Sequence, residues 1–517
     1  MRRLSLLLVA VAVGNAEVHL PAIFADHLVL QRDSAVPIWG TASPGEAVTV
    51  EFAAQKKKTT ADRTGHWLLN LDPLKTNATP ADLKINATIL HDVLVGEVWL
   101  AGGQSNMAFD LNHAHNATET LAQAEDPQLR FFTVKHTTSA EPQIDLEGTW
   151  EATTPKTAKS FSAVAYFFAR ELRQTQKCPI AILHSSWGGT PIETWISLNA
   201  FLREPALTKP LQNWEKALEQ YRKTQADPAL VANYLTALKT WKKDAVPPTP
   251  EPSNPDPMGM PSPSRRPQTP GVSFNAMIAP LIPYAIRGAL WYQGEANGSA
   301  GLEYRELLPR LIQDWRGRWG TEFPFLYVQL PINGRDAQPV AQAGWPWLRE
   351  AQLLTLKLPR TGMAIALDVG NPNDVHPTDK IDVGHRLALL ARRDIYGEKL
   401  VASGPIFTDS GIGIGNGEIV LHFKETGSGL TPGQATWLAP GMDPLPVDHL
   451  IGFFIAGENR KWVEAETKIE GNSIVVSSPE VPKPVAVRYG WANSPRCNLY
   501  NKEGLPASPF RTDTWPK

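Results

Sequence analysis

Glu97-Val98-Trp99-Leu100-Ala101-Gly102-Gly103-Gln104-Ser105-Asn106-Met107 is the stretch on which the reading of this chain turns. An apolar run closed by Gly-Gly reads as a buried strand followed by a tight turn. The turn carries one serine. At the carboxyl end of a strand a serine can stand exposed as a nucleophile. Met107 fills the position where the G-x-S-x-G elbow has its last glycine, so that elbow is not the pattern. Ser105 is then a nucleophile only if the rest of the chain brings it a base and an oxyanion hole.

Three further strand ends carry matching chemistry. Pro179-Ile180-Ala181-Ile182-Leu183-His184 runs into Ser185-Ser186-Trp187-Gly188-Gly189-Thr190. Gly188 and Gly189 would expose backbone N–H groups with no side chain in the way, which suits an oxyanion. Ala289-Leu290-Trp291-Tyr292 leads to Gln293-Gly294-Glu295-Ala296-Asn297, where an amide and a carboxylate flank a glycine. A buried Gln293 amide could complete the hole. Ala364-Ile365-Ala366-Leu367-Asp368 leads to Asn371-Pro372-Asn373-Asp374-Val375-His376-Pro377. Pro377 biases His376 toward extended backbone. A loop histidine at a strand end, flanked by acids, is the best general base among the 12 His.

Between these strands lie helical patterns. Phe161, Val164, Ala165, Phe168, Ala169 and Leu172 share one helix face, as do Leu308, Leu311, Ile312 and Trp315. Continuous apolar strands alternating with amphipathic helices imply an α/β domain with a parallel sheet covered on both faces. In such a sheet the site lies beyond the carboxyl ends of the strands.

The domain expected over 96–398 is flanked by β regions. Residues 17–95 alternate short apolar runs with Gly, Asp and Pro turns and read as a small all-β sandwich. Residues 399–517 return to β character, a candidate to pack with the N-terminal region. Within the catalytic domain, about 200–270 reads as an insertion, helical and then Pro-rich; a surface excursion is a simpler reading than a lid. Met1-Arg2-Arg3, an apolar run over 4–13 and Gly14-Asn15-Ala16 have the form of a signal peptide cleaved after Ala16. The protein is expected to be exported, periplasmic or secreted. That apolar run is too short to span a bilayer.

Composition excludes little but excludes it usefully. A formal net charge of −2 over 517 residues argues against a nucleic-acid partner, which would favour a basic face. The two cysteines, Cys178 and Cys497, are expected unpaired. His113-Ala114-His115 raises a metal site, but two His at i, i+2 share a face only on a strand and no third ligand stands near in sequence, so no metal or other cofactor is expected. The sequence does not give the oligomeric state.

Taken together, the Gly103–Met107 block, Gly188-Gly189-Thr190, Trp291-Tyr292-Gln293-Gly294-Glu295 and Asp374-Val375-His376-Pro377 resemble the blocks of the SGNH (GDSL-like) esterases. With Glu97-Val98-Trp99, Asn275–Leu281 and Asn498–Pro506, the chain more narrowly resembles the sialate O-acetylesterase family. The resemblance implies a three-layer α/β/α, flavodoxin-like catalytic domain that deacetylates O-acetylated carbohydrate through an acetyl-serine. It implies Ser105 as nucleophile and His376 as base. The oxyanion hole would come from the Ser105 N–H, Gly188 or Gly189 and Gln293, with Gln104, Asn106, Glu295 and Asn297 in support. The superfamily has Asp three residues before its His, where this chain has Asn373, so Asp374, Glu295 or a backbone carbonyl could orient His376. The same chemistry on acetylated xylan, and a non-catalytic carbohydrate-binding protein on a hydrolase fold, are the rival expectations.

Overall fold

The Glu97 stretch is the second half of a strand, Thr88–Gly103, that belongs to two sheets at once. Its first half pairs antiparallel with Asn77–Ile85 and parallel with Val29–Gln31, in the N-terminal β region. Its second half is the centre of the catalytic sheet. The boundary expected near residue 95 therefore falls inside one continuous strand. The computed structural model describes residues 18–202, 208–241, 251–256, 258, 267–334, 344–408, 413–415 and 417–515. The expected signal peptide lies outside them, as does much of the Pro-rich run.

Across the catalytic sheet the order is Thr361–Ile365, Phe325–Gln329, Gly288–Tyr292, Thr88–Gly103, Ile180–Ser186, Asp126–Val134 and Gly148–Thr153. Every neighbouring pair is parallel except the last. Ile180–Ser186, Gly288–Tyr292 and Phe325–Gln329 are buried at every residue, because both faces of a parallel sheet are covered. The covering helices pack in pairs, Ala163–Gln176 with Ile381–Asp394 and Gly301–Trp319 with Trp345–Thr355. Ser162 caps the first of these, its hydroxyl accepting from Ala165 N–H at 3.2 Å. The expected helix face is buried throughout. The architecture is α/β with separate antiparallel β sheets at either end of the chain.

The C-terminal β region is bonded to the catalytic domain. The fully buried Arg349 guanidinium donates to the carbonyls of Leu330, Pro331, Ala492 and Asn493 across that joint. Tyr500, from the Asn498–Pro506 motif, donates to Asp368 at 3.0 Å. Asp368 also receives a two-pronged contact from buried Arg386, at 2.6 and 2.7 Å. These bonds anchor the loop that carries His376. Both cysteines are buried and free.

Glu97 has no exposed surface, yet it carries a carboxylate in mid-sheet. Arg32 of the N-terminal region and Arg287, ahead of the Gly288–Tyr292 strand, both bond to it, and Gln31 donates to it at 3.3 Å. The charge is thus satisfied from both domains. Replacing Glu97 with Ala would leave two half-buried guanidinium groups facing apolar packing. We expect Glu97→Ala to lower unfolding free energy by about 3 kcal/mol, measured by urea denaturation.

Candidate active site

The strand ends where its backbone must pass very close to its neighbour. Gly103 adopts φ +141°, and a Cβ there would lie 2.2 Å from the Tyr292 carbonyl oxygen. Only glycine fits. The chain then turns, Gln104 N–H bonding to Tyr292 O at 3.0 Å, and Ser105 opens the short helical turn Ser105–Ala108.

The adjacent strand delivers Gly188 onto the serine. Trp187 N–H bonds to Gly103 O at 3.0 Å, and a Cβ on Gly188 would lie 3.1 Å from Ser105 Cβ. Gly189 takes φ +75°. Among the described residues, the N–H groups of Ser105, Gly188 and Gly189 have no acceptor. Converging unpaired N–H groups beside a serine hydroxyl are what an oxyanion hole requires.

Beneath this turn lies a frame of buried amides. Gln104 Oε1 accepts from Gln293 Nε2 at 3.1 Å and from Ala296 N–H at 3.0 Å. Gln293 Nε2 also donates to Asn297 Oδ1 at 2.8 Å and reaches Thr190 O at 3.3 Å, while its Oε1 accepts from Tyr304 at 2.8 Å. Asn297 Oδ1 further accepts from Ile192 N–H, and its Nδ2 donates to Glu193. This corrects the expectation of Gln293 as an oxyanion donor. Its two amide hydrogens are committed within the frame, so Gln293 joins Gln104 and Asn297 as a support of the turn.

Asn106, also fully buried, ties the serine turn to the histidine loop. Its Nδ2 donates to Val375 O at 2.9 Å and to Glu295 Oε1. Its Oδ1 accepts from Lys380 Nζ at 2.5 Å. The residue after the serine thus holds the residue before the histidine. Burial pushes the Glu295 carboxyl above its ordinary range, against the Asn106 hydrogen bond.

The His376 ring stacks on Phe109, and its Nδ1 lies 3.4 Å from Asp374 Oδ1. The same oxygen accepts the His376 N–H at 2.9 Å. Of the three groups considered from the sequence, Asp374 is the one placed at the ring, whereas Glu295 is turned to Asn106. Among the described residues no hydrogen bond joins Ser105 to His376, a contact that often tightens only around substrate. His113 pairs with Asp110 at 2.5 Å while His115 packs on Trp437, so the two rings of the His-Ala-His segment have separate partners. A cavity of about 450 Å³ borders the histidine loop, lined among others by Pro372, Asn373, Leu438, Met442, Arg496 and Tyr500.

No protein-family model matches the chain. Over 430 residues, 74% of each chain, it is 32% identical to the sialate O-acetylesterase of Rattus norvegicus. It is 29% identical to that of Homo sapiens over 535 residues, 93% of this chain and 90% of the human one. The solved structure of a carbohydrate acetylesterase from Xanthomonas citri matches with TM-score 0.78 at 37% identity, covering 96% of this chain and 100% of that one. The chain belongs to the sialate O-acetylesterase family. It is a carboxylic ester hydrolase.

Sequence reasoning missed Lys380 and Phe109 in this enzyme. Lys380 is buried at the N-terminal boundary of Ile381–Asp394, the end of a helix where a cation is disfavoured. That wrong-signed placement, four residues after His376, was the available signal. Phe109 carried none, since an aromatic next to a turn is ordinarily core.

Gly188 gives the direct test of this geometry. Gly188→Ala should push on Ser105 Cβ and lower kcat by roughly 10–100-fold, with Tm little changed. Steady-state kinetics on an acetyl ester beside thermal unfolding checks both parts.

Proposed function

We propose that this enzyme removes acetyl groups from carbohydrate hydroxyls by acyl transfer to Ser105, with His376 as general base. The observation that carries the reading is the Asn106–Val375 hydrogen bond, which sets the serine turn against the histidine loop at 2.9 Å. Ser105 Oγ attacks the acetyl carbonyl as His376 takes its proton. The N–H groups of Ser105 and of Gly188 or Gly189 receive the developing oxyanion. The sugar oxygen leaves with the proton from His376. Water, deprotonated by the same imidazole, then cleaves the acetyl-serine and releases acetate. Asp374 holds the ring and stabilises its charged form.

The relatives are named for sialate, a sugar that carries a carboxylate. A site for it should offer a cation. Lys380 is enclosed and bonded to Asn106, so it is not that cation. Arg496 is exposed and lines the cavity beside the histidine loop. We assign that cavity, part apolar and part polar, to the sugar, with Arg496 toward the carboxylate. We also read the N-terminal pattern as an export signal, which N-terminal sequencing of the mature protein would test.

Acetate release from an acetylated sialic acid and from a neutral acetylated sugar tests the whole reading. Ser105→Ala should abolish turnover of both. Arg496→Gln should lower kcat/KM for the sialate about 10-fold or more, the worth of a charge-assisted contact, and leave the neutral sugar unchanged.

A further inference from the structure

Lys380 is a buried group at this site whose chemistry the proposed mechanism does not use. Its side chain has no exposed surface. The ammonium lies over the rings of Phe109 and Tyr292, at 4.8 and 5.4 Å from their centroids. Its hydrogen-bond acceptor is a neutral one, Asn106 Oδ1 at 2.5 Å. Among the described residues it makes no direct ion pair with a carboxylate. The charged groups facing it are Glu295, from the loop after the Gly288–Tyr292 strand, and Asp374 and Asp379, from its own loop.

Such a group is costly. A buried ammonium without a touching carboxylate loses hydration that aromatic faces return only in part. Burial pushes Lys380 down to about 7. Between that value and the ordinary 10.5, the unfolded chain holds a proton there that the folded chain lacks. This site therefore weakens the fold below about 7, and the penalty fades as pH rises toward 10.5. A methionine would fill similar volume without that cost.

Two contacts say what the lysine does. Through Asn106 it reaches the residue beside Ser105; through Phe109 it reaches the ring on which His376 stacks. An asparagine amide can flip, which would exchange its oxygen and nitrogen. With a cation on one side and Glu295 on the other, only one orientation is stable, and it is the one that aims Nδ2 at Val375 O. We propose that Lys380 is a positioning residue for deacetylation, locking the Asn106 amide so that the serine turn and the histidine loop stay in register. The proposal rests on Ser105 as nucleophile and His376 as base.

The experiment compares Lys380→Met and Lys380→Gln with wild type at pH 6.5. It reads kcat and KM on a small acetyl ester, Tm, and the rate at which a fluorophosphonate labels Ser105, located by peptide mass spectrometry. We expect kcat and the labelling rate of Lys380→Met to fall together by roughly 10–100-fold. KM should stay within about 3-fold and Tm should be unchanged or higher. Lys380→Gln, which keeps an N–H donor toward Asn106, should recover part of the loss. Unchanged kcat in Lys380→Met overturns the proposal. So does a variant that fails to fold or loses Tm and activity together, since Lys380 would then serve stability. Wild type that is not labelled at Ser105 overturns the nucleophile reading instead, which separates the two failures.

Discussion

One strand governs this molecule. Thr88–Gly103 is the only element of the described residues that is shared between the N-terminal sheet and the catalytic sheet, and its last residue delivers Ser105. Its position is fixed at both ends of the catalytic half. At the start, Glu97 is gripped by arginines from two domains; at the end, Gly103 lies against the Tyr292 backbone with no room for a side chain. A buried carboxylate and a glycine are both poor choices for strand stability. Here they define the register, because neither contact survives a one-residue slip. The N-terminal β region is therefore part of the catalytic scaffold, joined by a continuous ladder.

The site above that strand is built from neutral amides. Gln104, Asn106, Gln293 and Asn297 are buried, and each offers a donor and an acceptor on one rigid plane. They link the turns after three neighbouring strands without adding charge beside Ser105. A network of this kind specifies one arrangement strongly, since a rearrangement leaves buried polar atoms unpaired. The cations and anions of the centre stand outside it: Glu295 and Lys380 flank Asn106, and Arg386 with Asp368 anchors the loop to the C-terminal region through Tyr500.

The legible part of this architecture was the part written in local pattern. Apolar runs ending in glycine located the four strand ends, and the i, i+3, i+4 spacing located the helix over Ala163–Gln176. Ser105, Gly188 and His376 were singled out because exposed chemistry at strand ends is a local property. What failed was direction. A glutamine after a strand can point into a hole or beneath it, and Gln293 points beneath, because Tyr304 and Asn297, eleven and four residues along the chain, bracket its amide. Lys380 failed for a related reason. Lysine is ordinarily a surface residue, and its burial is decided by Phe109 and Tyr292 from distant segments. The packing of the C-terminal region was illegible for the same cause: Arg349 chooses its carbonyl partners across about 140 residues of chain.

The distribution of cost across the centre is itself informative. The amide frame, with its bonds paired inside the protein, costs little to bury. The Lys380 ammonium and the Glu295 carboxyl are different: each is driven by burial toward its neutral form, and Glu295 Oε2 has no partner among the described residues. A chain selected for stability alone would replace both with apolar groups. Their presence on either side of a single amide, one residue from Ser105, places the expense where the two loops must be held in register. Neutralising both would remove the electrostatic difference between the two ends of the Asn106 side chain. That difference, rather than the hydrogen bonds taken singly, is what distinguishes the amide aimed at Val375 from its flipped form.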